Sequence, residues 1–81
     1  MWNDAFLESA VMSAPRLELT VNGERRQAAA ETLELALAEF GFGAVKVATA
    51  LNGEFIPAAR RGAIRLANGD KIEIVAARAG G

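Results

Sequence analysis

An α+β fold, in which one helix covers one face of a mixed β-sheet, is predicted by three features of this 81-residue chain. Two Asn-Gly pairs, Asn22-Gly23 and Asn52-Gly53, each sit between runs that read as strands. Between these hairpins lies a short amphipathic segment bounded by Thr32 and Gly41. A last alternating run, Lys71 to Ala76, follows an Asn68-Gly69-Asp70 turn.

Residues 1–15 stand apart from the rest. Asp4 could cap a short helix bearing Phe6, Leu7, Ala10 and Val11, which Pro15 would stop. The competing reading is a flexible N-terminal extension, as chain ends are often unanchored. Met12 would serve as a start by itself, so the preceding residues also read as a start-site artefact. From Arg16 the pattern changes. Leu17, Leu19 and Val21 alternate with Arg16, Glu18 and Thr20, the signature of a half-buried strand over Arg16 to Val21. Asn22-Gly23 then forms a type I′ turn, whose two central residues need positive φ, and Glu24 to Ala28 returns as the second strand.

Thr32 is a good N-cap for the helix that follows. Leu33, Ala36, Leu37 and Phe40 fall at i, i+3, i+4 and i+7 on one face, and Glu34 sits where the helix dipole favours an anion. Gly41 suits the left-handed residue that ends a helix. Leu35 lies off the apolar stripe, either as marginal core or as partner surface. So short a helix is unstable alone in water and must pack on a sheet. Val45 to Leu51 alternates as a third strand, and Asn52-Gly53 marks another hairpin. Glu54 to Ile56 returns until Pro57 breaks the ladder. Ala58 to Leu66 is a connection carrying Arg60, Arg61 and Arg65. In the final strand Ile72 and Ile74 point inward and Val75 outward. The order is β-β-α-β-β-β, which allows the first and last strands to lie side by side at the centre of the sheet. That is the β-grasp, or ubiquitin-like, arrangement. The chain therefore divides into the extension 1–15, a β-grasp domain over 16–76 and a tail over 77–81.

Composition narrows the chemistry. An apolar fraction of 52% is ample for one small core, while so short a chain has little material left to wall off a deep pocket. Nine basic against ten acidic residues, net charge −1, lack the basic excess expected of a nucleic-acid binder. No run approaches the roughly 20 apolar residues that span a bilayer. The N-terminus has no basic region followed by a continuous apolar one, so a cytoplasmic address is expected. There is no Cys and no His, which removes thiol nucleophiles, disulfides, the usual zinc ligands and the commonest general base.

Catalytic patterns come up empty. Ser9 and Ser13 have no His to activate them, and Glu24, Glu34, Glu39, Glu54 and Glu73 read as solvated carboxylates with no converging pair. Arg60, Arg61 and Arg65 could form a basic patch, yet no aromatic is interleaved for base stacking. Gly41-Phe42-Gly43 follows a helix where a phosphate-binding loop would open one. The remaining candidate is the end of the chain. Two terminal glycines at about 7% usage each arise by chance in roughly one chain in two hundred, which is weak evidence alone. It gains weight because the tail follows a strand directly. Fully extended, Ala77 to Gly81 reaches about 17 Å from the domain. Glycine lacks Cβ, so the Gly81 carbonyl can enter a narrow channel and be attacked from either side. A carboxylate is a poor electrophile and would need activation by an enzyme, typically as an acyl-adenylate.

Val21-Asn22-Gly23-Glu24, the capped segment Thr32 to Phe40, Ala50-Leu51-Asn52-Gly53-Glu54-Phe55-Ile56-Pro57, Asn68-Gly69-Asp70-Lys71-Ile72-Glu73-Ile74-Val75 and the terminal Ala79-Gly80-Gly81 together resemble the ThiS family, the sulfur carriers of thiamine biosynthesis. The resemblance implies that an E1-like adenylating enzyme (ThiF-type) activates Gly81 with ATP and Mg²⁺, no cofactor being held permanently by the chain itself. It implies that persulfide sulfur from a cysteine desulfurase converts the carboxylate to a thiocarboxylate, which a thiazole synthase (ThiG-type) consumes. On that reading the chain is a protein co-substrate and not an enzyme, a monomer when free, without nucleic-acid or membrane partners. Gly81 carries sulfur, Gly80 gives access, Ala76, Ala77, Arg78 and Ala79 form the threaded arm, and Phe55 and Val75 dock partners. The family often places an aromatic shortly after the Pro that ends the fourth strand, and Ala58-Ala59-Arg60-Arg61-Gly62 has none. Three alternatives stay open: the small subunit of molybdopterin synthase, a ubiquitin-like protein modifier, and a plain β-grasp interaction module with an inert tail.

Overall fold

The computed structural model describes residues 16–76. The extension 1–15 and the tail 77–81, with Ala77, Arg78, Ala79, Gly80 and Gly81, lie outside the described residues. Strands β1 (Leu17–Val21) and β2 (Glu24–Ala28) precede helix α1 (Leu33–Glu39). Strands β3 (Val47–Leu51) and β4 (Glu54–Ile56), a 3-10 helix (Ala58–Ala63) and β5 (Lys71–Ala76) follow. The five strands form one sheet in the order β2-β1-β5-β3-β4, with β1 and β5 parallel and the other neighbours antiparallel. The expected juxtaposition of first and last strands is therefore present, and the fold is the β-grasp.

Local chemistry explains each boundary. Asn22 and Gly23 adopt φ of 51° and 86°, and Asn52 and Gly53 adopt 52° and 87°, as a type I′ turn demands. The Thr32 hydroxyl accepts the Leu35 backbone N–H at 3.2 Å, the expected cap on α1. At the other end Phe42 N–H donates to Leu37 O at 2.7 Å and Gly41 N–H to Ala38 O at 3.1 Å. This pair of bonds is a Schellman motif, and Gly41, at φ 93°, supplies the left-handed residue it needs. The motif also corrects one expectation. Val45 does not open β3: its N–H turns back to Phe42 O at 3.1 Å, so the strand begins at Val47 and Val45 is exposed.

The core lies between α1 and one face of the sheet. Leu19 and Val21 of β1, Ile72 and Ile74 of β5, and Ile56 of β4 meet Leu33, Ala36 and Leu37 from the helix, all buried. Leu35 is 54% exposed and so is not part of the core. The segment after β4 is more ordered than a simple connection. Its 3-10 helix packs beside α1, Ile64 O accepts from Leu33 N at 3.0 Å, and Leu66 N donates to Glu31 O at 2.9 Å. Arg61 turns inward, its Nε donating to Thr49 Oγ1 at 3.0 Å and its Nη2 to Val47 O at 2.7 Å. Thr49, the buried polar side chain of the core, donates in turn to Ile56 O at 2.9 Å. Arg65 instead pairs with Glu31 at 3.7 Å on the surface, so the three arginines do not form one basic patch.

Two predictions follow from this packing. Replacing Thr49 by Val keeps the volume but leaves Arg61 Nε–H and Ile56 O without their partner, and should cost about 1–3 kcal/mol in denaturant unfolding. Glu18, exposed on β1, is held below its ordinary pKa of 4.5 by the Gln27 side-chain amide and then by the Arg25 charge. Because the folded state lowers this pKa, the stabilisation is present at neutral pH. It is lost as pH falls from the ordinary glutamate value through the lowered folded-state value. Unfolding measured across that acid range should therefore show a shallower pH dependence for Glu18→Gln than for the parent.

Candidate functional site: an apolar strip beside the C-terminal arm

The period of two along a strand sends alternate side chains to opposite sheet faces. Since Ile72, Ile74, Thr49 and Ile56 point to the helix, Glu73, Val75, Ala48, Ala50 and Phe55 point to the opposite face, which no helix among the described residues covers. Register places Val75 directly opposite Ala48, and Phe55 directly opposite Ala50. Val75 and Phe55 are 66% and 63% exposed, far above what a core residue of either type shows. The result is a continuous apolar strip across β5, β3 and β4, with two alanines forming its low centre. Its β1–β2 side is polar, where Glu18 accepts from Arg25 and Gln27 at 3.3 and 3.0 Å.

Phe55 and Val75, expected from the sequence as docking residues, are thus brought together from strands that do not neighbour each other. Ala48 and Ala50 were missed. Their signal was present: both occupy outward positions of an alternating strand, where charged or hydroxylated residues are the usual choice. The strip also reaches the end of the last strand, because β5 ends at Ala76, one residue after Val75.

No alternative chemical centre competes with this face among the described residues. They contain no group of three or more carboxylate, His or Cys side chains placed to hold a metal ion. The carboxylates of Glu24, Glu34, Glu39, Glu54 and Glu73 all belong to exposed residues. Glu39 is spent on the Ala29 backbone N–H at 3.2 Å. A cleft of about 270 Å³ runs between the end of α1 and the 3-10 helix, lined by Glu34, Leu37, Phe42, Val45 and Arg61. Its guanidinium is already committed to Thr49 and Val47. No helix among the described residues is long and apolar enough to cross a membrane.

The sequence model of the ThiS family matches residues 19–81, from the second inward residue of β1 to Gly81. The chain belongs to the ThiS family. A solved relative, the thiamine biosynthesis protein ThiS of Geobacter metallireducens, superposes with a TM-score of 0.65 at 29% identity, covering 80% of this chain and 100% of that one. A curated relative, the thiazole synthase of Paramagnetospirillum magneticum, is 39% identical over 66 residues, 80% of this chain. This ThiS-family chain spans 20% of the length of that thiazole synthase.

The strip makes a simple stability prediction for this ThiS-family domain. Phe55→Thr and Val75→Thr keep a strand-forming residue and remove exposed apolar surface only, so each should change unfolding free energy by no more than about 0.5 kcal/mol. Thermal or denaturant unfolding checks this. A loss of several kcal/mol would place these side chains in the core.

Proposed function

We propose that this chain is the sulfur carrier of thiazole formation in thiamine biosynthesis, working in the cytoplasm as a monomeric protein co-substrate. The observation that carries the reading is the family match running unbroken from β1 to Gly80-Gly81, joined by the likeness to a protein named as a thiazole synthase. The geometry supports it in kind. An apolar strip for a partner sits at the point where β5 hands over to an arm of five residues, Ala77 to Gly81.

In this reading a ThiF-type adenylating enzyme binds the strip through Phe55 and Val75 and receives the arm, Ala77-Arg78-Ala79, in its channel. The enzyme's ATP and Mg²⁺ convert the Gly81 carboxylate to an acyl-adenylate with release of pyrophosphate. A persulfide sulfur, supplied through a cysteine desulfurase, attacks the carbonyl and displaces AMP. Thiol cleavage of the resulting acyl disulfide leaves the thiocarboxylate on Gly81. A ThiG-type thiazole synthase then takes that sulfur. Gly80 lacks a side chain and so leaves the Gly81 carbonyl open to attack from both faces.

Intact-mass analysis after incubation with ATP, Mg²⁺, the adenylating enzyme and a sulfur source tests the reading. Oxidation of Met1 or Met12 nominally mimics oxygen-to-sulfur exchange, so the product is alkylated and the label localised to Ala79-Gly80-Gly81. Label on Gly81 is expected. An unlabelled Gly81 beside an enzyme active on its own carrier would overturn the proposal, and isopeptide-linked products would identify a protein modifier. Deleting Gly80-Gly81 should abolish labelling and leave the melting temperature nearly unchanged, since a terminal tail contributes little packing. Phe55→Thr should weaken binding to the adenylating enzyme by about 5- to 30-fold, the loss of one aromatic anchor worth about 1–2 kcal/mol.

A further inference from the structure

We propose that Asn22 is a positioning residue for the C-terminal arm, its carboxamide standing in for a further residue of β1 and locking Ile74 in place. The inference rests on the sulfur-carrier reading above and assigns a role that the turn itself does not require. The backbone ladder between β1 and β5 stops where the chain enters the turn, with Asn22 N–H donating to Ile72 O at 2.9 Å. The residues of β5 that face β1 are every second one, so Ile74 is the next to need partners. Both of its backbone groups find them in one side chain. Asn22 Oδ1 accepts the Ile74 N–H at 2.8 Å, and Asn22 Nδ2 donates to Ile74 O at 3.1 Å.

A primary amide offers the same donor and acceptor as a peptide unit, which explains the residue type. Asp has no donor and would set a carboxylate oxygen against the Ile74 carbonyl. Gly would satisfy the turn, at φ 51°, and leave both groups of Ile74 without protein partners. Beyond Ile74, β5 keeps only its β3 neighbour, through Val75 opposite Ala48 and Ala76 opposite Val47. The latch therefore stands at the last point where both edges of β5 are held, immediately before Val75 of the docking strip and the start of the arm.

Seven residues follow Ile74, and the first two, Val75 and Ala76, are held by β3 alone, so the latch fixes the direction in which β5 leaves the sheet. Displacement of a reacting group by about 1 Å can cost on the order of 100-fold in rate. The second hairpin supplies an internal control. Asn52 makes the same kind of bond, its Oδ1 accepting Lys71 N–H at 2.9 Å, but at the beginning of β5, away from the arm.

The test compares Asn22→Gly, Asn22→Asp and Asn52→Gly in the full chain, by amide exchange at Ile74, thermal unfolding, and kcat and KM for ATP-dependent adenylation of Gly81. Asn22→Gly should speed Ile74 exchange and lower kcat about tenfold, with KM changed less than about twofold, because the docking strip is intact while the arm is misdirected. Asn22→Asp should share the kcat defect. Asn52→Gly should lower the melting temperature and leave kcat at the parent value well below it. A parent-like kcat in Asn22→Gly overturns the proposal, as does a kcat loss in both glycine variants that merely follows their loss of stability. If the parent chain is not adenylated by an enzyme active on its own carrier, the carrier reading falls and this role with it. Ile74 exchange, which needs no partner, separates that result from absence of the latch.

Discussion

The structure depends on β5 being held along both edges. It is the last strand to be made and lies between the first hairpin on one side and the second on the other. Neither hairpin can form the sheet without it, because a two-stranded ribbon alone is marginal in water. Both hairpin turns contribute directly. Asn22 and Asn52 provide the positive φ of their turns and also bond the backbone of β5, at Ile74 and at Lys71. Each Asn-Gly pair thus sets a local reversal and fastens it to a strand about 20 or 50 positions further along the chain. The turn at Asn68-Gly69-Asp70 completes the arrangement: Gly69 N–H and the Asn68 carboxamide bond Glu18 of β1, and Asp70 receives Asn52 Nδ2 at 3.0 Å.

That central strand also connects the two faces of the sheet. Ile72 and Ile74 fill the core beneath α1, while Val75 faces the opposite side and aligns with Ala48. One strand therefore couples the stability of the fold to the strip proposed for docking, and its last residue, Ala76, directly precedes the arm in sequence. An exposed valine and phenylalanine on one strip are tolerated as single surface residues in any protein. Their continuity through two alanines, beside the point where the arm departs, gives the strip its meaning.

The core contains one polar solution that the apolar pattern did not suggest. Thr49 occupies an inward position of β3, and its hydroxyl is satisfied by Ile56 O and by Arg61 from the 3-10 helix. The arginine also bonds Val47 O, so the segment after Pro57 is pinned to the third strand by a charged group with an apolar stem. This is why Arg61 separates from Arg60 and Arg65, which stay on the surface.

Much of the fold was legible in residue order because its signals are local. Alternation in Leu17 to Val21, the two Asn-Gly pairs, the Thr32 cap and Gly41 each act within a few residues, where side-chain chemistry and allowed φ decide the outcome. The family resemblance rested on the two Asn-Gly-Glu hairpins, the capped helix, Asn68-Gly69-Asp70 before the last strand and the terminal Ala79-Gly80-Gly81. What the linear chain could not express was decided by contacts between distant segments. The start of β3 at Val47 follows from the Schellman turn, which uses the Val45 N–H before any strand can claim it. The inward turn of Arg61 depends on Thr49 being buried beside it. The strip of Val75, Ala48, Ala50 and Phe55 exists only once register has aligned three strands, and the second role of Asn22 only once β5 lies against β1. Sequence alone determined the elements, because their causes are short-range. Tertiary structure alone decided which side chains meet, because hydrogen bonds and apolar contacts across the sheet require the elements to be placed first.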